Sequence, residues 1–116
     1  MGKKVALFAF NGDDMCFIHV LLNALDMHDR GYDLKLVIEG SATRLAGELD
    51  SDAHPLHDLF TKVKDAGLID CVCRACSGKM GALNSIEEQG LPLCGPMAGH
   101  PSIADYMERG YEVLIF

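Results

Sequence analysis

The sequence predicts an α/β fold, a three-layer α/β/α sandwich around a mostly parallel sheet of about five strands. Three observations carry this expectation. Short apolar runs of strand length alternate with longer segments whose apolar residues recur at helical spacing. The short runs are apolar on both faces, as strands are when helices cover the sheet on both sides. Gly31, Gly67, Gly90 and Gly110 each follow a helical segment, where a left-handed residue closes the last turn. With 116 residues the chain is read as one domain, residues 1–116, able to form a core without disulfide or metal.

Residues 4–10 form the first predicted strand, and the turn Asn11-Gly12-Asp13-Asp14 offers Asp13 or Asp14 as a helix cap. A helix over 15–30 follows, with Phe17, Val20, Leu21, Ala24 and Leu25 on its buried stripe. Residues 34–38 are the second strand, and 42–49 make a short helix at most. His54-Pro55 opens a helix with Leu56, Leu59, Phe60 and Val63 on one face, ending at Gly67. Residues 68–73 are the third strand and 78–89 a helix. Residues 91–94 are a short fourth strand, where Pro92 suits an early or edge position. A helix over 101–109 and a strand over 111–116 complete the pattern.

The net charge of −7, with no local basic cluster, argues against nucleic acid or an anionic membrane as partner. The apolar run at the N-terminus stops at Phe10 without a small-residue cleavage site, and no run is long enough to span a membrane. These features predict a cytoplasmic protein with its five cysteines mostly reduced. An odd count in a spacing unlike small secreted scaffolds favours thiol chemistry or metal binding over a disulfide framework.

Cys71, Cys73 and Cys76 crowd the junction Ile69-Asp70-Cys71-Val72-Cys73-Arg74-Ala75-Cys76-Ser77-Gly78-Lys79-Met80-Gly81. In a parallel sheet all strand C-termini share one edge, so the loops at 11–15, 39–43, 73–78 and 94–100 converge there. Cys16, Cys73, Cys76, Cys94 and His100 lie in or beside those loops. Strand alternation puts Cys71 and Cys73 on one face. Cys71, deeper in the strand, reads as a core residue. Cys73, at the strand end before a helix, reads as an exposed thiol of lowered pKa. Cys76 completes a C-x-x-C spacing and reads as a resolving thiol. Arg74 and Lys79 flank the pair, either as partners of an anionic sulfur or as solvated cations. Cys73, Cys76, Cys94 and His100 are an alternative ligand set for zinc, although their spacing matches no zinc-finger pattern.

The remaining polar residues carry less. Asp13, Asp14 and Glu39 read as caps and loop carboxylates, and His19 and His28 are too far apart on one helix to form a ligand pair. His54 and His57 suit a helix start. Gly95-Pro96-Met97-Ala98-Gly99 precedes a helix as an anion cradle does, but has neither a Walker lysine nor a dinucleotide fingerprint, and Gly78 and Gly81 also fall short of one. A nucleotide cofactor is not expected, and zinc is the alternative to no cofactor at all.

On these residues the chain resembles the DsrE/TusD-like (DsrEFH-like) family, small flavodoxin-like α/β proteins whose sulfur-relay members carry a persulfide. The similarity runs from the first strand to Gly110-Tyr111-Glu112-Val113 and is sharpest over Cys73-Arg74-Ala75-Cys76-Ser77-Gly78-Lys79-Met80-Gly81. It implies that Cys73 accepts sulfane sulfur and passes it on, with sulfur donor and acceptor proteins as partners and sulfurtransferase-like carrier chemistry. Family members commonly assemble as trimers or hexamers, which implies a homo-oligomer. Cys76 matches only some relatives. In this scheme Arg74 and the helix start near Ser77–Gly78 stabilise the anion, and Cys76 resolves or guards Cys73. Two other readings remain: a zinc-binding or structural oligomeric module, and a small-ligand or interaction protein with incidental thiols.

Overall fold

The computed structural model describes residues 2–116. Its strands are β1 (Lys4–Ala9), β2 (Asp33–Ile38), β3 (Ile69–Cys73), β4 (Leu93–Cys94) and β5 (Glu112–Ile115). Its helices are α1 (Asp14–Asp29), α2 (Ala42–Glu48), α3 (His57–Asp65), α4 (Arg74–Lys79), α5 (Leu83–Glu88) and α6 (Ile103–Glu108). All strand pairings are parallel, in the order β4-β3-β2-β1-β5. The fold is therefore the α/β sandwich that the alternation of elements predicts.

The order of strands explains the distribution of helices. From β1 the chain steps to β2, β3 and β4 in one direction, so right-handed crossovers place α1 to α5 on one face. The return from β4 to β5 reverses the direction and places α6 on the other. The two cores follow this division. Val5, Leu7 and Ala9 of β1 pack with Phe17, Val20 and Leu21 of α1, Leu45 of α2, Phe60 and Val63 of α3 and Ile86 of α5. The opposite face buries Ala6, Phe8, Val37 and Cys71 against Tyr106 of α6 and Tyr111. Phe8 meets Tyr106 edge to face, with centroids 5.3 Å apart.

Local chemistry sets the element ends. The Asp13 carboxylate caps α1 by accepting the N–H of Met15 at 2.8 Å and of Cys16 at 3.2 Å. Gly31, Gly67, Gly90 and Gly110 all have positive φ, which confirms them as helix-closing residues. Pro92 lies just before the edge strand β4, where its carbonyl accepts the N–H of Val72 at 2.8 Å.

Two predicted helices differ. The segment over 78–89 is not continuous. Gly81 takes φ +74°, Ala82 N–H reaches the Ser77 carbonyl at 2.8 Å, and the chain divides into α4 and α5. Helix α4 also begins four residues earlier than expected, directly after Cys73. The third helix starts at His57 rather than at His54-Pro55. The His54 ring nitrogen Nδ1 instead accepts the N–H of Leu56 at 3.1 Å, and His57 Nδ1 meets the Leu49 carbonyl at 2.8 Å. Both rings serve the turn before α3.

Candidate functional site

Cys73 is the last residue of β3 and the N-cap of α4, so strand and helix meet at one thiol. Its Sγ accepts the Cys76 backbone N–H at 3.3 Å, the role a Ser or Asp oxygen plays at ordinary helix starts. The buried Ser77 hydroxyl donates to the Cys73 carbonyl at 2.7 Å and locks the first turn. The tight turn brings the Cys76 side chain back over the strand end.

The third group comes from the loop between β4 and α6. Met97 and His100 exchange backbone hydrogen bonds of 3.0 and 2.9 Å, and Gly99 N–H closes on the Gly95 carbonyl at 3.1 Å. Gly99 has φ +94°, and a Cβ there would stand 3.0 Å from the Ala75 side chain, so only glycine fits both conformation and space. The Gly99 carbonyl then accepts the Ala75 N–H at 3.0 Å, stitching the loop to α4. The glycine-rich loop thus spends several of its backbone groups on itself and delivers His100.

His100 Nδ1 lies 3.2 Å from Cys73 Sγ and 3.6 Å from Cys76 Sγ. Cys73 Sγ also contacts the Gly99 carbonyl at 3.6 Å. A ligand atom from each of Cys73, Cys76 and His100 lies within 4.8 Å of the others. One imidazole can therefore take a proton from either thiol, and the three together can hold a thiophilic metal.

The electrostatics reverse one expectation. Cys73 is 0% exposed, not an open strand-end thiol. Burial pushes its pKa up to about 11, the Cys76 thiol adds to the rise, and the backbone N–H groups of Cys76 and Ala75 only partly oppose it. At neutral pH Cys73 is a thiol. Cys76, half-buried, is the sulfur a reagent reaches first. Glu39, at the end of β2, is pushed above the usual carboxylate value by burial, while the His100 charge pulls the other way. Nothing in the spacing of residues 39 and 100 announces this relation, because it arises from two loops meeting at the sheet edge.

Cys71 and Cys94 form a disulfide, with Cα atoms 5.6 Å apart. The expectation of mostly reduced cysteines does not hold for this pair. Cys71 is buried as predicted, but it is half of a cross-link between neighbouring strands rather than a plain core residue. The pairing also removes Cys94 from the four-residue zinc set, leaving Cys73, Cys76 and His100. The Tyr106 hydroxyl donates to the Asp70 carboxylate and lies 3.6 Å from Cys71 Sγ. Burial is the main cause of its raised pKa, with Asp70 adding to it.

Other candidates fall outside the cluster. Arg74 and Lys79 are exposed, and among the described residues no hydrogen bond or ion pair ties either to a thiol. The helix start lies at Cys73 itself, not near Ser77–Gly78. Cys16 is a free cysteine on the first turn of α1. An open groove of about 670 Å³, lined by Glu48, Asp50, His54 and Ser85 among others, includes none of the three site residues. Among the described residues no helix is long and apolar enough to cross a membrane.

No model of a known protein family matches the chain. Its fold is shared by the solved structure of a conserved protein of unknown function, BT1422, from Bacteroides thetaiotaomicron. The two superpose with a TM-score of 0.72 at 16% identity, over 97% of this chain and 95% of that one. An uncharacterized protein of Archaeoglobus fulgidus is 51% identical over 43 residues, 37% of this chain and 70% of its own length. Uncharacterized protein MJ0733 of Methanocaldococcus jannaschii is 34% identical over 97 residues, 84% of this chain and 77% of its own length. The chain belongs to the family of which MJ0733 is a member.

Proposed function

We propose that the chain is a carrier of sulfane sulfur that works through Cys76 and Cys73 with His100 as base, in keeping with its resemblance to DsrE/TusD-like relay proteins. The observation that carries this reading is the convergence of two thiols on one imidazole nitrogen, at 3.2 and 3.6 Å. The half-buried Cys76 gives its proton to His100 Nδ1, and the thiolate attacks the outer sulfur of a donor persulfide. A Cys76 persulfide forms, and the donor leaves as a thiolate that takes up the proton. An acceptor thiolate then removes the outer sulfur by the same exchange.

The raised pKa of Cys73 has a use in this scheme. A Cys73 thiolate would attack the inner sulfur of the Cys76 persulfide, release sulfide and close a Cys73–Cys76 disulfide. Burial keeps Cys73 protonated and slows that discharge until an acceptor arrives. Access therefore assigns the receiving role to Cys76 and the resolving role to Cys73, the reverse of the order that strand position suggests. To test the reading, protein with a free Cys73–Cys76 pair is incubated with inorganic polysulfide and its intact mass recorded. One added sulfur atom is expected in the wild type and none in Cys76→Ser. No gain in the wild type overturns the carrier; an equal gain in Cys76→Ser overturns the assignment of roles.

A second reading rests on the three donor atoms within 4.8 Å. Two thiolates and an imidazole are a zinc ligand set that keeps a fourth position open, as catalytic zinc sites do. Elemental analysis of the purified protein decides it. Stoichiometric zinc, with both thiols protected from alkylation until a chelator is added, supports this reading over the carrier; metal-free protein with reactive thiols sinks it.

A further inference from the structure

The sheet register places a second pair of cysteines against the first. Cys73 and Cys94 are direct partners in the β3–β4 ladder, and neighbours so paired project to the same face. Cys71 lies two residues before Cys73 and shares that face. Cys94 is thus bonded to Cys71 and is the ladder partner of Cys73 on the same face. In the inner pair Cys71 is buried among Phe8, Val37 and Tyr106, and Cys94 is half-buried. The outer pair has a half-buried member, Cys76, and a base, His100.

We infer that the two pairs exchange oxidation state within the chain: the Cys73/Cys76 dithiol reduces the Cys71–Cys94 disulfide, and the reverse, through a Cys73–Cys94 mixed disulfide. The inference rests on the carrier reading in one respect, that Cys73 and Cys76 work as a dithiol. In the first step Cys73 passes its proton to His100 Nδ1, 3.2 Å away, and its thiolate attacks Cys94 Sγ. The Cys71–Cys94 bond breaks as the Cys73–Cys94 bond forms, and Cys71 leaves with the electron pair. In the second step Cys76, deprotonated, attacks Cys73 Sγ, closes the Cys73–Cys76 disulfide and expels Cys94 as a thiolate. The two protons from Cys73 and Cys76 end on Cys71 and Cys94. Two electrons move inward, and no outside oxidant or reductant is consumed.

The surroundings suit both ends of the exchange. The Cys76 backbone N–H at 3.3 Å favours the Cys73 thiolate while it exists. At the far end the Tyr106 hydroxyl, 3.6 Å from Cys71 Sγ, gives the released thiol a hydrogen-bond partner already in place. The consequence is a redox gate on the outer site. With the inner pair oxidised, Cys73 and Cys76 are free thiols ready for sulfur; with the inner pair reduced, they are closed on one another.

The test is disulfide mapping on the full chain. Fully reduced protein receives one equivalent of oxidised glutathione, and samples are acid-quenched at intervals, alkylated and digested for mass spectrometry. In the wild type the Cys71–Cys94 and Cys73–Cys76 links are expected to interconvert to one ratio, whether the starting state is this protein or the protein as purified. Loss of the second step in Cys76→Ser should let the Cys73–Cys94 link accumulate, and Cys71→Ser should form the same link directly. Absence of that link from both variants overturns the inference, as does a wild-type ratio that stays wherever it started. Sulfur loading from polysulfide is measured on the wild type in parallel. Loading without exchange removes the inference and leaves the carrier; exchange without loading removes the carrier and leaves an internal thiol–disulfide relay.

Discussion

Cys71 and Cys73 are the same residue type, two positions apart, on the same face of the same strand, yet they have opposite chemistry. Cys71 faces the edge strand β4 and is bonded to Cys94, inside an apolar cluster capped by Tyr106. Cys73 ends the strand, caps α4 and meets His100 and Cys76 with no bond between them. The difference does not lie in burial, since both are buried. It lies in what closes over each sulfur. A neighbouring strand offers another sulfur at bonding distance, whereas a helix start and a glycine-rich loop offer N–H groups and an imidazole. Position relative to the strand end decides which thiol is cross-linked and which stays free beside an imidazole.

The sharpest way to separate the two pairs is to remove one sulfur from each. Cys76→Ser should abolish sulfur loading, read by intact mass, while Cys94 stays cross-linked to β3, through Cys71 or Cys73, in peptide maps. Cys94→Ser should leave the thiol–imidazole contacts in place but lower the unfolding free energy by about 3 kcal/mol, as expected for a cross-link spanning 23 residues. Denaturant melts check that value, and a loss below about 1 kcal/mol would mean that the inner disulfide does little for the fold.

Smaller effects probe the outer pair alone. His100→Gln should slow alkylation of Cys76 at neutral pH by roughly a hundredfold, the usual contribution of a positioned base, without changing the melt. An unchanged rate would remove the imidazole from the chemistry. Cys73 makes a prediction about pH. Its folded pKa, about 11, lies above that of an unfolded thiol near ~8.5, so the folded state holds the proton more tightly. The stability linked to this proton is fully present below the unfolded value and falls as pH rises through about 11. Melts of wild type and Cys73→Ala across that range should diverge at the alkaline end. The smallest change is Ser77→Ala, which removes the 2.7 Å hydrogen bond to the Cys73 carbonyl and should cost about 1 kcal/mol.

Much of the architecture is legible in the chain. Strand runs, helix stripes and closing glycines are local signals, set by side-chain period and by the φ values that only glycine adopts easily. They place all five strands and most helices within a few residues. The helix expected over 78–89 breaks at Gly81, which closes one helix before Leu83 begins another. The early start of α4 has no ordinary cap signal in the sequence, because the cap is a cysteine sulfur and not one of the usual oxygen side chains.

The site divides along the same line. Sequence spacing by itself marks Cys73 and Cys76 as a pair and brings Cys94 and His100 to the same sheet edge, because parallel strands all end on one side. It is blind to which sulfurs touch. Tertiary structure alone decided that Cys94 bonds Cys71 and leaves the ligand set, that His100 reaches both remaining thiols, that Glu39 feels its charge, and that Cys73 is closed off while Cys76 is not. Each of these depends on strand register or on where a loop folds back, and both are long-range properties. Residue identity and local period fix a thiol's place along the chain, but its partner, solvent and proton affinity belong to segments that meet only when the sheet has formed.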